Sequence, residues 1–101
     1  MILFEWDALK ERRNKSKHGV SFEDAMQVFD DPFALSEQDR TEGGQRRWQM
    51  IGLAGGAAVL LVAHTVQGEG QNEIIRIISA RLATRKERNR YEENLAQNAG
   101  R

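Results

Sequence analysis

The chain has 101 residues, no cysteine, and 15 basic and 15 acidic side chains, for zero net charge with the histidines neutral. That length suits one domain with one modest core, and the lack of cysteine excludes a disulfide framework and a thiolate metal site. The longest apolar run, Ala54 to Ala63, is far below the roughly 20 residues a membrane helix needs, and Met1 to Asp7 carries acids and no basic leader, so neither membrane segment nor signal peptide is expected and a cytoplasmic location follows.

Ile2, Phe4 and Trp6 alternate with Leu3 and Glu5, the period-two pattern of a half-buried strand. Asp7 stands at the N-cap of a short basic helix over residues 8–17, which ends at His18-Gly19 because glycine accepts the left-handed conformation. Ser21 caps a second helix, with Asp24 three residues on and Phe22, Ala25, Met26 and Phe29 along one face. Asp30-Asp31-Pro32 ends it, since proline lacks an amide donor and pushes its predecessor out of helical geometry. From Phe33 to Ser79 no helical period appears, and short runs at 34–39, 46–53, 57–65 and 73–79 predict an antiparallel meander. Gly55-Gly56 links the second and third runs, and Gln67 to Gln71 the third and fourth. Thr84 and Glu87 form a capping box for a last helix over 85–97, with Tyr91 and Leu95 four apart on one side. Residues 98–101 are expected to fray, leaving a single domain over 1–97. The expected fold is α+β, a small twisted antiparallel sheet with helices packed on one face.

The zero net charge hides segregated blocks. Residues 8–18 hold five bases against Glu11, and residues 46–91 hold eight against Glu69, Glu73 and Glu87, whereas residues 19–45 hold seven acids against Arg40. One basic and one acidic face are therefore expected. His18 and His64 are far apart, with no acid at a ligand spacing from either, so no metal site is expected; no phosphate loop, dinucleotide fingerprint or serine elbow occurs, so no cofactor is expected. What remains is a basic and imidazole set on or beside the predicted sheet: Arg46, Arg47, His64, Arg76 and Arg81, joined by Lys17 and His18. Arg76 interrupts Ile74-Ile75 and Ile77-Ile78, so it either protrudes or answers a buried acid. His64 ends an apolar run, a position that suits a packed strand-end histidine as readily as a catalyst.

Such a set suits RNA cleavage without a metal, in which the ribose 2′-hydroxyl attacks the adjacent phosphate. The protein then supplies a base, an acid for the departing 5′-oxygen and cations for the phosphorane. Histidine, with an ordinary pKa of about 6.5, fits proton transfer, and the arginine fork pairs with phosphate oxygens. Trp6, Trp48 and Tyr91 suit either base stacking or core packing.

The strings Phe4-Glu5-Trp6-Asp7-x-x-Lys10, Asn14-x-x-Lys17-His18-Gly19-Val20-Ser21-Phe22, Val28-Phe29-x-Asp31-Pro32, Arg46-Arg47-x-x-x-Ile51-Gly52, His64-Thr65, Arg76-Ile77-Ile78-Ser79-Ala80-Arg81 and Glu87-Arg88-x-x-Tyr91, in this order, resemble the BrnT toxin family. The resemblance runs from about Phe4 to Tyr91. It implies a RelE-like ribonuclease toxin fold and the toxin of a type II toxin–antitoxin pair, which cleaves RNA and arrests translation and growth. It also implies a BrnA-type ribbon-helix-helix antitoxin, a heterotetramer of two toxins and two antitoxins, and operator DNA bound only through the antitoxin. Carried over by position, the catalytic set is His64, Arg76, Arg81 and His18, with the arginines on phosphate and a histidine moving the proton; Lys17, Arg46, Arg47 and Tyr91 contact RNA. One departure is Gly43-Gly44-Gln45, which stands where an acid is expected beside the arginine pair and displaces Glu42 from a catalytic role. The rival expectation is a degenerate toxin, a non-catalytic antitoxin-binding co-repressor module. A direct DNA reader is disfavoured, because neither short helix has a helix-turn-helix partner.

Overall fold

Local signals set the element ends in the computed structural model, which describes residues 1–99. After β1 (Ile2–Glu5), the Asp7 carboxylate accepts the amides of Leu9 and Lys10 at 2.8 and 3.0 Å and starts α1 (Ala8–His18), which Gly19 closes at φ 73°. Ser21 caps α2 (Phe22–Met26), which tightens into a 3-10 turn, Gln27–Asp30, where a continued helix is expected. Then come β2 (Leu35–Glu42), β3 (Gln45–Ala54), β4 (Ala58–Gln67) and β5 (Glu73–Leu82). Thr84 and Glu87 exchange the two bonds of a capping box at the start of α3 (Arg85–Ala99). Of the tail expected at 98–101, Asn98 and Ala99 continue α3, and the other two residues lie outside the described residues.

The sheet order is β1-β5-β4-β3-β2. The last four strands form the expected antiparallel meander, and β1 joins its edge in parallel to β5, a pairing the sequence pattern does not specify. Gly43 and Gly44, at φ 58° and 80°, make the two-residue turn between β2 and β3.

Two register slips decide which way side chains point, since a shift of one residue exchanges the faces. β4 and β5 pair Val62 with Ala80 but His64 with Ile77, and β2 and β3 slip between Gln38 and Arg40. As a result Ile75, Ile77 and Ala80 share one face of β5, and Arg76, Ser79 and Arg81 share the other.

Helices cover both faces, not one as expected. α2 and the 3-10 turn pack Phe22, Ala25 and Val28 on Leu60, Val62, Ile77 and Ala80, while α3 lays Tyr91 and Leu95 over Ile51, Leu53, Val59 and Leu61. The cause is that β3 and β4 are apolar at successive positions, as a strand buried on both sides must be. Gly52 lets the 3-10 turn approach β3: a Cβ there would stand 2.8 Å from Val28 Cγ1.

Polar side chains close the sheet where strands end short. β1 covers only part of β5, and beyond it the buried Asn14 carboxamide takes the place of a strand, donating to Ala80 O at 2.8 Å and Val20 O at 3.0 Å and accepting from Ala80 N at 3.1 Å. At the opposite side β2 begins opposite Ile51, and Asp31 accepts the next free amide, that of Leu53, at 2.8 Å. It also accepts from Phe33 N and, at 2.6 Å, from the Tyr91 hydroxyl.

Candidate active site on the open half of the sheet

α3 covers only part of the sheet face it packs on. Beyond Tyr91 and Leu95, the register sets Gln49 between Glu37 and Ala63, and Ala63 opposite Ser79. One step further, Arg40 stands opposite Arg47, Thr65 opposite Arg76, and Arg76 opposite Glu5. Arg47 precedes Trp48, the partner of His64, so it shares the face of Thr65. Arg40, Arg47, Thr65, Arg76 and Glu5 therefore cross all five strands in one row.

The pairs that hold these arginines differ. Arg76 meets Glu5 at 3.4 Å, with 42% of the arginine side chain exposed, and Arg40 and Arg47 share Glu42 at 3.2 and 3.3 Å. Exposed pairs of this kind contribute little and are readily exchanged, so a phosphate can take the place of the carboxylate. The two-residue hairpin folds Glu42 back beside Arg47, which supplies the acid whose absence the Gly43-Gly44-Gln45 spacing suggested. Arg81 is held more firmly, by both oxygens of Glu87 at 2.8 and 3.1 Å. The Arg81 bond and the Thr84 amide outweigh burial and hold the Glu87 carboxyl below its ordinary pKa, while Glu87 raises that of Arg81.

Lys17 and His18, at the basic end of α1, line a shallow groove of about 200 Å³ with Lys10, Arg13, Ile78 and Ser79. Ser79 is the lining residue that this groove shares with the face of Arg76 and Arg81. Arg46 is exposed on the other side of β3, next to the hairpin.

Besides Arg46, two expected residues lie away from this surface. His64 is 2% exposed on the α2 face, with its ring edge-on to Phe29 at 4.9 Å and its Nδ1 at 3.2 Å from the Val62 carbonyl oxygen. Burial lowers its pKa and favours the neutral imidazole. Even positions of this stretch of β4 point to α2, away from the arginines. Tyr91, expected to contact RNA, is 4% exposed, so its ring offers no face to a base; burial and the Asp31 bond push its pKa up to about 12. Thr65, Ser79 and Glu5, which the sequence does not single out, share this face with the arginines; their only signal is their place inside the matching strings.

A family model described as the ribonuclease toxin BrnT of type II toxin–antitoxin systems matches residues 6–87. The 1.1 Å crystal structure of the Brucella abortus ribonuclease toxin BrnT shares the fold, with a TM-score of 0.56 and 24% identity over 84% of this chain and 99% of that chain. No curated protein matches the chain.

Proposed function

Because the chain belongs to the BrnT family of ribonuclease toxins from type II toxin–antitoxin systems, we propose that it is a metal-independent endoribonuclease working on the open half of its sheet. The observation that carries this reading is the placement of Arg47 and Arg76 on one face of the sheet, on strands either side of Thr65. Arg76 and Arg47 hold the scissile phosphate, and Arg81 strengthens the field at its edge. His18 accepts the 2′-hydroxyl proton, the 2′-oxygen attacks phosphorus, the bond to the 5′-oxygen breaks, and that oxygen takes a proton from solvent. Lys17 and Arg46 guide the RNA backbone, and His64 supports the fold beside Phe29. The toxin acts in the cytoplasm, and a BrnA-type ribbon-helix-helix antitoxin covers this basic surface in a 2:2 complex that reaches operator DNA through the antitoxin.

Incubation of the purified chain with RNA in excess EDTA tests the chemistry. The expected products carry 2′,3′-cyclic phosphate and 5′-hydroxyl ends; 3′-hydroxyl ends, formed only when a divalent metal is supplied, contradict it. The two-pronged hold of Glu87 on Arg81 favours a second reading, a non-catalytic antitoxin-binding module, which intact RNA beside tight antitoxin binding supports.

A further inference from the structure

Thr65 is 4% exposed, and its hydroxyl is buried with no hydrogen-bond partner. Buried hydroxyls are almost always paired, because leaving one unpaired forfeits its hydration without return. This one sits where pairing has a use: its register partner is Arg76, and Arg47 shares its face on the next strand. One row further toward α3 stand the small side chains of Ala63 and Ser79, paired with each other across β4 and β5, with Gln49 beside Ala63 on β3 and Glu37, which pairs with Arg90 of α3, beyond it. The neighbouring guanidiniums are engaged by Glu5 and Glu42 at 3.4 and 3.3 Å, the Arg76 pair open to solvent and the Arg47 pair half-buried on its arginine side.

We infer that the Thr65 hydroxyl is a substrate-binding donor, which gives its proton in a hydrogen bond to a non-bridging oxygen of the phosphate that Arg76 holds. The hydroxyl is buried in the free protein, so binding must open its cover: Arg76, its exposed register partner, swings from Glu5 to the phosphate, and a phosphate oxygen then reaches the hydroxyl that lacked a partner. A neutral donor fixed on a central strand needs no reorganisation as charge gathers on that oxygen, so its contribution grows toward the phosphorane. The inference rests on the ribonuclease reading above and adds a residue to its site.

The test compares wild type, Thr65→Val, Thr65→Ser and Arg76→Ala on one defined RNA, with kcat, KM and melting temperature measured for each. Thr65→Val keeps the shape and removes the unpaired hydroxyl, so it melts at or above wild type while kcat falls about 100- to 1000-fold. Thr65→Ser keeps the hydroxyl and loses a methyl group, so it melts lower and cleaves within a few-fold of wild type. A purely structural threonine cannot give this crossing of stability and activity. Should Thr65→Val fail to fold, Thr65→Ala takes its place, inactive beside an active Thr65→Ser. Wild-type kcat in the hydroxyl-free variant, or equal losses in Val and Ser, overturns the inference while an impaired Arg76→Ala leaves the ribonuclease reading standing. An Arg76→Ala that cleaves like wild type, or a wild type that leaves RNA intact, removes that reading and the inference with it.

Discussion

Tyr91 reaches from α3 to the end of β3 and donates its hydroxyl to Asp31 at 2.6 Å, on the carboxylate oxygen that also accepts the Leu53 amide. The single bond joins the helix on one face to the loop that leaves the other. Tyr91→Phe removes a bond to a charged acceptor and should cost about 1.5–3 kcal/mol in urea unfolding. A change of only a few tenths would mean that solvent replaces the hydroxyl without loss.

Asn14 serves β5 as Asp31 serves β3. Asn14→Ala leaves the amide and carbonyl of Ala80 and the carbonyl of Val20 without partners, and should destabilise by about 3 kcal/mol, with faster hydrogen exchange at Ala80. Unchanged exchange would show that α1 does not seal that edge.

Signals that act over three or four residues were legible in the sequence. Asp7, Gly19, Ser21 and the Thr84/Glu87 box stand where the composition places them, and the four runs between Phe33 and Ser79 pair in the expected order. The faces of the arginines were not legible, because they depend on the slips at Asp39 and Ile78, which no local pattern marks. Asp31 reads as a helix terminator, and Asn14 is only one position of the basic helix and of a family string, until the free edges of β3 and β5 are in view. His64 adjoins Thr65 in the chain and faces the opposite way, so the period-two rule separates two residues that the family strings keep together.

Stability should fall with acid in two stages. Burial lowers the pKa of His64, so its neutral form stabilises the fold above the ordinary value of about 6.5, and that share is lost as pH falls below it. Burial pushes the Asp31 carboxyl up, but the Tyr91 hydroxyl and the Leu53 and Phe33 amides outweigh it; Asp31 and Glu87 both end below their ordinary range. Their share persists above about pH 4 and is lost below it. Melting temperature followed from pH 8 to 3 checks this, and His64→Phe should remove the first stage; a first stage that survives the substitution assigns it elsewhere.

The two histidines should separate function from folding. His18→Ala is expected to lower cleavage about 100-fold or more with little change in melting temperature, whereas His64→Ala lowers the melting temperature and leaves cleavage by the folded fraction near wild type. The reverse pattern would move proton transfer to the α2 face of the sheet.

The most direct measurement is RNA cleavage by the double variant Arg47→Ala/Arg76→Ala, matched to wild type in melting temperature. With both cations removed from the face beside Thr65, the variant should be folded and should cleave at least about 100-fold more slowly than wild type. A folded double variant that cuts RNA at the wild-type rate would contradict the placement of the active site on the open half of the sheet.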